Sequence, residues 1–193
     1  GPAGRPASPF RGSKGSNWEG GVREPCIMRW PGKIPAGTTC PQIIGNIDIL
    51  PTFAKLAGVG PSQDRVIDGR DITPLMFDPK AEAVRDTHLY YAANFGLAAI
   101  RQGDWKLFLN TSDDKAKAQS DKKDGKPARK AGKGKKGGGD QTGLYNLSTD
   151  PGEAKNVAAE HPEIVAKLRA EAKGRDAEVQ KNKRPAGQIA GKK

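Results

Sequence analysis

Lys14 stands between two glycines, in Arg11-Gly-Ser-Lys-Gly-Ser-Asn-Trp-Glu-Gly-Gly21, and is the residue here best placed to do chemistry. An ammonium is a compact point charge with three donors, suited to the oxygens of an anion. Glycine lets the backbone reach φ > 0 or approach a ligand closely, at an entropic cost that a plain loop has no reason to accept. The spacing therefore predicts a tight loop that presents Lys14 and then leads into a strand. The competing reading is a solvated loop lysine ahead of an edge strand, because an isolated Gly-Lys-Gly signal is weak.

The wider pattern is more specific. Lys14-Gly-Ser-Asn-Trp-Glu-Gly-Gly-Val-Arg-Glu-Pro25, followed by Trp30-Pro31-Gly32, resembles the second-half signature of the sulfatases, in particular the arylsulfatase group of the alkaline-phosphatase-like superfamily. Four further stretches resemble that family in the same order. They are Asn46-Ile-Asp-Ile-Leu-Pro-Thr-Phe-Ala-Lys-Leu-Ala-Gly58, Asp68-Gly-Arg-Asp-Ile-Thr-Pro-Leu75, Arg101-Gln-Gly-Asp-Trp-Lys-Leu107 and Leu144-Tyr-Asn-Leu-Ser-Thr-Asp-Pro-Gly-Glu153.

The resemblance implies an α/β fold: the end of a large sulfatase-type α/β domain, then an α+β subdomain. That subdomain is a small four-stranded antiparallel sheet with a C-terminal helix. It also implies a hydrolase of sulfate esters. Lys14 would be catalytic and substrate-binding, with its ammonium on the sulfate and bridging oxygens. His88 and Asn94 would border the substrate, a sulfated small molecule or sulfated polysaccharide. Glu19, Arg23 and Trp18 would hold the loop by an ion pair and packing.

Other family features are not found in this sequence. Members carry an upstream Cys-x-Pro-x-Arg or Ser-x-Pro-x-Arg whose Cys or Ser becomes a formylglycine nucleophile. Here Cys26 precedes Ile27-Met28-Arg29, and Cys40 precedes Pro41-Gln42-Ile43. The family's calcium carboxylates lie before the lysine motif, where Gly1 to Phe10 has no acidic residue. The expectation is a C-terminal sulfatase fragment, inactive by itself, whose calcium and formylglycine belong to an N-terminal sulfatase domain outside it. The resemblance also implies a periplasmic or secreted location.

Charge and composition bear on the alternatives. The chain has 193 residues, a net charge of +11, 35% apolar residues and 25 glycines. Residues 111–141 and 173–193 hold +5 each, and the remainder is nearly neutral. That distribution argues against a specific nucleic-acid-binding fold, which would show its charge on an ordered face. A non-catalytic basic protein that binds polyanions is the alternative from another class. A phosphodiesterase of the same superfamily fits the glycine-rich lysine motif less well. No run approaches the length of a membrane-spanning helix. Two cysteines do not make a disulfide framework; two partly buried thiols are expected.

The elements that must position these residues follow from pattern. Cys26–Trp30 and Gln42–Ile44 read as short strands. Asp48 is placed to cap a helix with Pro51 in its first turn and Gly58 past its end. Ile49, Phe53, Leu56 and Ala57 share a face of that helix and are expected to pack in a core. Ile27 and Phe53 would be exposed if the partner domain is absent. Asp71 would cap a single turn at 73–76. His88–Ala92, Leu97–Arg101, Trp105–Leu109 and Leu144–Leu147 read as four strands, with Gln102-Gly103-Asp104 a hairpin loop. Glu160-His161-Pro162-Glu163 opens a helix with Ile164, Val165 and Leu168 on its buried stripe.

The expected domains are a closing segment of the large domain over 1–80, the sheet subdomain over 81–172, and a basic tail over 173–193. The insertion 111–141 and the tail contain too little apolar surface to order themselves.

Overall fold

Strand-like alternation along four short segments builds one antiparallel sheet in the computed structural model, which describes residues 8–60, 64–92, 95–109 and 143–183. The strands are β1 (Thr87–Tyr91), β2 (Leu97–Gln102), β3 (Trp105–Phe108) and β4 (Gly143–Asn146), ordered β1-β2-β3-β4. All four expected strands are present, each with bounds within a residue of the sequence reading. The connection from β2 to β3 is shorter than expected. Gln102 pairs with Trp105, leaving only Gly103-Asp104, with Gly103 at φ +55°. A two-residue hairpin needs positive φ at its first position, and glycine supplies it without a Cβ clash.

Register sorts the side chains into rows. Leu89, Ile100, Leu107 and Leu144 are directly opposed on one face. The helix α4 (Pro162–Asn182) covers that face through Leu168 and Ala172, with Val157, Ile164 and Val165 at the margin. His88, Arg101, Lys106 and Tyr145 form the corresponding row on the other face. That face is covered by Trp18, which packs with Tyr90, Ala99, Phe108 and Tyr145.

The helix corrects one expectation. Its residues 173–182 had been assigned to a disordered tail, yet α4 continues through them. Arg175, Ala177, Glu178, Gln180 and Lys181 are strong helix formers, and Gln180 donates to the Asp176 carboxylate one turn back at 3.3 Å. Local propensity extends the helix where hydrophobic patterning has stopped. The remainder of the expected tail and the insertion 111–141 lie outside the described residues.

Two compact units divide the chain, with boundaries after Cys26, Asp86 and Ala172. Residues 8–26, expected with the first segment, therefore belong to the unit of the sheet. The other unit centres on Asp48. This residue was expected to cap α2 (Ile49–Leu56) directly, but it ends a 3-10 turn, Asn46–Asp48, and makes no such cap. Its carboxylate instead accepts from Gly45 N at 2.8 Å, from Arg70 N at 2.7 Å and from the Arg85 guanidinium. Three strands of chain are thereby tied to one buried anion.

Thr52 extends the knot, donating to Asp48 O at 2.6 Å and accepting from Ile72 N at 3.1 Å. Asp71 accepts from Thr73 N and from its hydroxyl, both at 2.9 Å, ahead of α3 (Thr73–Phe77), as the sequence led one to expect. Gly58, at φ +73°, ends α2. Its N–H reaches Lys55 O and that of Val59 reaches Ala54 O, the paired bonds of a Schellman motif.

The apolar face of α2 is not a core. Pro51 and Thr52 are buried, whereas Ile49, Leu50 and Phe53 are exposed, Phe53 by 62%. Ile27 is 94% exposed as well. Neither Cys26–Trp30 nor Gln42–Ile44 forms a strand; each runs irregularly, with no ladder partner among the described residues. Without a strand to bury them, Cys26 and Cys40 are free and exposed rather than half-buried.

One substitution tests this unit. A Cβ at Gly69 would collide with Ile47 O and touch Pro51 Cγ. Gly69→Ala is expected to destabilise the chain by about 1–3 kcal/mol, as overpacking does. A lowered urea midpoint with an unchanged m-value would register it.

Candidate functional site

Lys14 occupies the second position of a four-residue turn. Ser16 N donates to Ser13 O at 3.1 Å, and Gly15 has φ +90°. Positive φ at the third residue marks a type II turn, where any side chain pays a steric cost that glycine does not. The Ser16 hydroxyl donates to Ser13 O at 2.8 Å and locks the turn. Lys14 projects from it, exposed.

The short helix α1 (Glu19–Val22) is wedged under this turn. Gly20 N donates to Arg11 O at 2.7 Å. A Cβ on Gly20 would lie 2.6 Å from Arg11 O, and one on Gly21 2.6 Å from Ser13 O. The two consecutive glycines are thus required by close approach of backbone to backbone. Trp18 and Arg11 fix the flank: the Arg11 guanidinium lies 3.8 Å over the Trp18 ring, which meets Phe108 at 4.3 Å and Tyr145 at 5.5 Å.

A charge cluster lies beneath. Lys106 is 0% exposed, and its ammonium donates to Asn17 O at 2.7 Å and to Glu19 Oε1 at 2.9 Å. It also pairs with Glu153 Oε1 at 2.8 Å, while Glu153 Oε2 accepts from Glu19 N at 2.7 Å. Arg101 and Arg23 approach the other Glu19 oxygen at 3.7 and 3.9 Å. Glu153 sits at φ +51°, a strained conformation for a side chain other than glycine, and its carbonyl accepts from Arg11 Nη1 at 2.9 Å. Two carboxylates and the cations around them are in near balance, the condition for burying charge.

The cluster has a titration consequence. Tyr90, beneath the Lys106 ammonium at 4.6 Å, has its phenol pushed well above the usual tyrosine range, first by burial and then by the Glu19 charge. Above the ordinary pKa of about 10 the unfolded chain releases a proton that the folded chain keeps. This contribution to stability is therefore full below about pH 10 and falls as pH rises. Alkaline titration followed at the tyrosinate absorbance band should show Tyr90 resisting ionisation until the fold is lost, with Tyr145, also raised by burial, ionising later than an exposed tyrosine.

The sequence-predicted site residues fare differently. Lys14 is exposed on its turn. His88 lies on β1 on the same sheet face as Tyr90, with their rings 4.8 Å apart, edge to face. Asn94 lies outside the described residues. Glu19, expected to pair with Arg23, has Lys106 as its closest cation. Lys106, Arg101 and Glu153 were not singled out as site residues. The available signal was that three of the motif stretches each contribute a charged residue, of opposite signs, to a chain whose folded part is near neutral.

The C-terminal region model of aryl-sulfatase matches residues 83–190, more than half the chain. The C-terminal model of N-sulphoglucosamine sulphohydrolase matches residues 13–122. The chain belongs to the sulfatase family. Mouse steryl-sulfatase is 34% identical over 180 residues, which cover 88% of this chain and 28% of that protein. Human arylsulfatase A is 34% identical over 168 residues, covering 83% and 32% respectively. A solved structure from work on glycosaminoglycan metabolism in Bacteroides thetaiotaomicron superposes with a TM-score of 0.67 at 28% identity, over 88% of this chain and 32% of that one. This sulfatase chain thus spans about a third or less of the length of those relatives. Its sheet, its covering helix and its mixed α/β character accord with the family. No helix among the described residues is long and apolar enough to cross a membrane.

Proposed function

We propose that this chain forms the C-terminal part of an enzyme that hydrolyses sulfate esters, and that it meets the substrate through Lys14. The observation that carries the reading is the placement of Lys14: an exposed ammonium at the tip of a glycine turn, inside the matched sulfatase segment. In sulfate-ester hydrolysis, charge builds on the sulfuryl oxygens and on the departing oxygen. An ammonium fixed beforehand at that position stabilises the transition state more than the ground state. Lys14 binds and orients the sulfate and donates to the bridging oxygen. His88 and Asn94 border the rest of the substrate.

A sulfated small molecule fits the names steryl-sulfatase and arylsulfatase A, and a sulfated polysaccharide fits the glycosaminoglycan context of the structural relative. The family resemblance implies a formylglycine, which would supply the nucleophile, and calcium. The residues described here do not fit either group. Neither cysteine lies in a Cys-x-Pro-x-Arg sequence, and no cluster of three or more His, Cys, Asp or Glu side chains among them could hold a metal ion. The reading assigns both groups to sequence outside this chain, and places the protein in the periplasm or outside the cell.

The test compares sulfate release from nitrophenyl sulfate with phosphate release from nitrophenyl phosphate, using the intact protein that contains this chain. Preferential sulfate-ester turnover is the expected result. Preferential phosphate turnover would overturn the reading. So would the absence of turnover combined with salt-sensitive heparin binding, which is the behaviour of a polyanion-binding protein.

A further inference from the structure

We infer that Lys106 and Glu153, carried by the sheet subdomain, are positioning residues that set the pose of the Lys14 turn from below. This rests on the reading of Lys14 as the sulfate-binding residue. The geometry brackets the turn on both sides. Downstream, the Lys106 ammonium holds Asn17 O and the Glu19 carboxylate, and Glu153 holds Glu19 N, at 2.7 to 2.9 Å. Upstream, Arg11 is held by Glu153 O at 2.9 Å and by the Trp18 ring.

Between these anchors the chain has little freedom. Gly20 N closes on Arg11 O, and α1 lies against Ser13 O, so a shift of Glu19 is transmitted to both ends of the 11–16 loop. Lys106 and Glu153 are fully buried, so neither reaches a substrate; they act through the backbone they hold. Such a clamp is more than a loop needs for stability, since Gly15, Ser13 and Ser16 already close the turn. Its added effect is to fix where the turn stands relative to the sheet.

The experiment has two readouts on the intact protein. The first is tryptic cleavage of the Lys14–Gly15 bond, measured relative to cleavage after Lys167 and Arg169 in α4. Glu153→Gln and Arg11→Met should each speed cleavage at Lys14 selectively, by about 10- to 100-fold, the range for losing one charge-assisted bond, and Lys106→Met, which loses three contacts, by at least as much. If Lys106→Met unfolds, so that all sites are cut together, the decision passes to Glu153→Gln and Arg11→Met, which leave the Lys106 ammonium in place.

The second readout is kinetic. Misplacing a reacting group by about an ångström can cost about 100-fold in rate. Nitrophenyl sulfate turnover should fall in kcat with KM little changed. Unaltered cleavage at Lys14 in both milder variants would overturn the inference. Faster cleavage with unaltered kcat would leave the clamp standing and overturn the catalytic reading of Lys14 instead.

Discussion

In the intact protein, Lys14→Ala is expected to lower kcat on an aryl sulfate by about 10²- to 10³-fold, the cost of removing one preorganised donor to a developing oxyanion. The fold should not register the change. Lys14 is exposed and its turn is closed by Ser13, Gly15 and Ser16, so stability should stay within about 0.5 kcal/mol, as for other surface substitutions. Lys14→Arg keeps the charge but spreads it over a planar fork, and should restore only part of the rate. Initial-rate kinetics with a thermal melt on the same samples separate these outcomes. A loss of rate accompanied by a large fall in melting temperature would make Lys14 a structural residue.

The second large effect is on stability. Lys106→Met is expected to cost about 3–5 kcal/mol, because it leaves Glu19 and Glu153 as buried carboxylates without their central cation. That is a large part of the roughly 5–15 kcal/mol that holds a typical domain together. Combining it with Glu153→Gln removes one of the stranded charges and should recover part of the loss, a non-additivity expected of contacting residues. Salt provides a control. The Lys106 pairs are sealed from solvent and should be little affected by ionic strength, whereas the exposed Lys155–Glu160 pair, at 3.1 Å, should contribute under about 1 kcal/mol and weaken further. Denaturant titrations of the two single variants and the double variant test all of this.

The sheet was legible in the sequence because its strands obey simple rules: alternation, turn residues between them, and a helix whose stripe matches the opposite face. Leu89, Ile100, Leu107 and Leu144 line up as period-two reading requires. Cys26–Trp30 misled because a strand exists only with a neighbour, and composition says nothing of whether one is present. Ile49 and Phe53 misled similarly; helical spacing identifies a face but not what covers it. Residues 173–182 misled in the other direction, since charge-rich composition hid good helix formers.

At the site, Lys14 could be found from its glycines. Lys106 could not, because an isolated lysine is assigned to solvent unless its partners are known. Those partners, Asn17, Glu19 and Glu153, lie 89, 87 and 47 positions away. Only the folded chain shows them as neighbours.

The bond from Glu19 N to Glu153 spans 134 positions, and this has a consequence for biosynthesis. β1, β2 and β3 follow one another closely and can pair locally as they emerge, whereas β4 comes only after the long connection between Phe108 and Gly143. The segment that covers their second face, with Trp18 and Glu19, is made long before Glu153 exists. At roughly 5–20 residues per second, it waits about 7 to 27 s after leaving the ribosome before its last anchor arrives. Until Tyr90 and Phe108 are made the indole of Trp18 has no partner ring, and until Glu153 is made the Lys106 ammonium lacks its second carboxylate. Between β3 and Glu153 the nascent chain holds Glu19 N and the Lys106 ammonium without their Glu153 carboxylate, and a pause in translation there would prolong the incomplete anchoring of the same segment that presents Lys14.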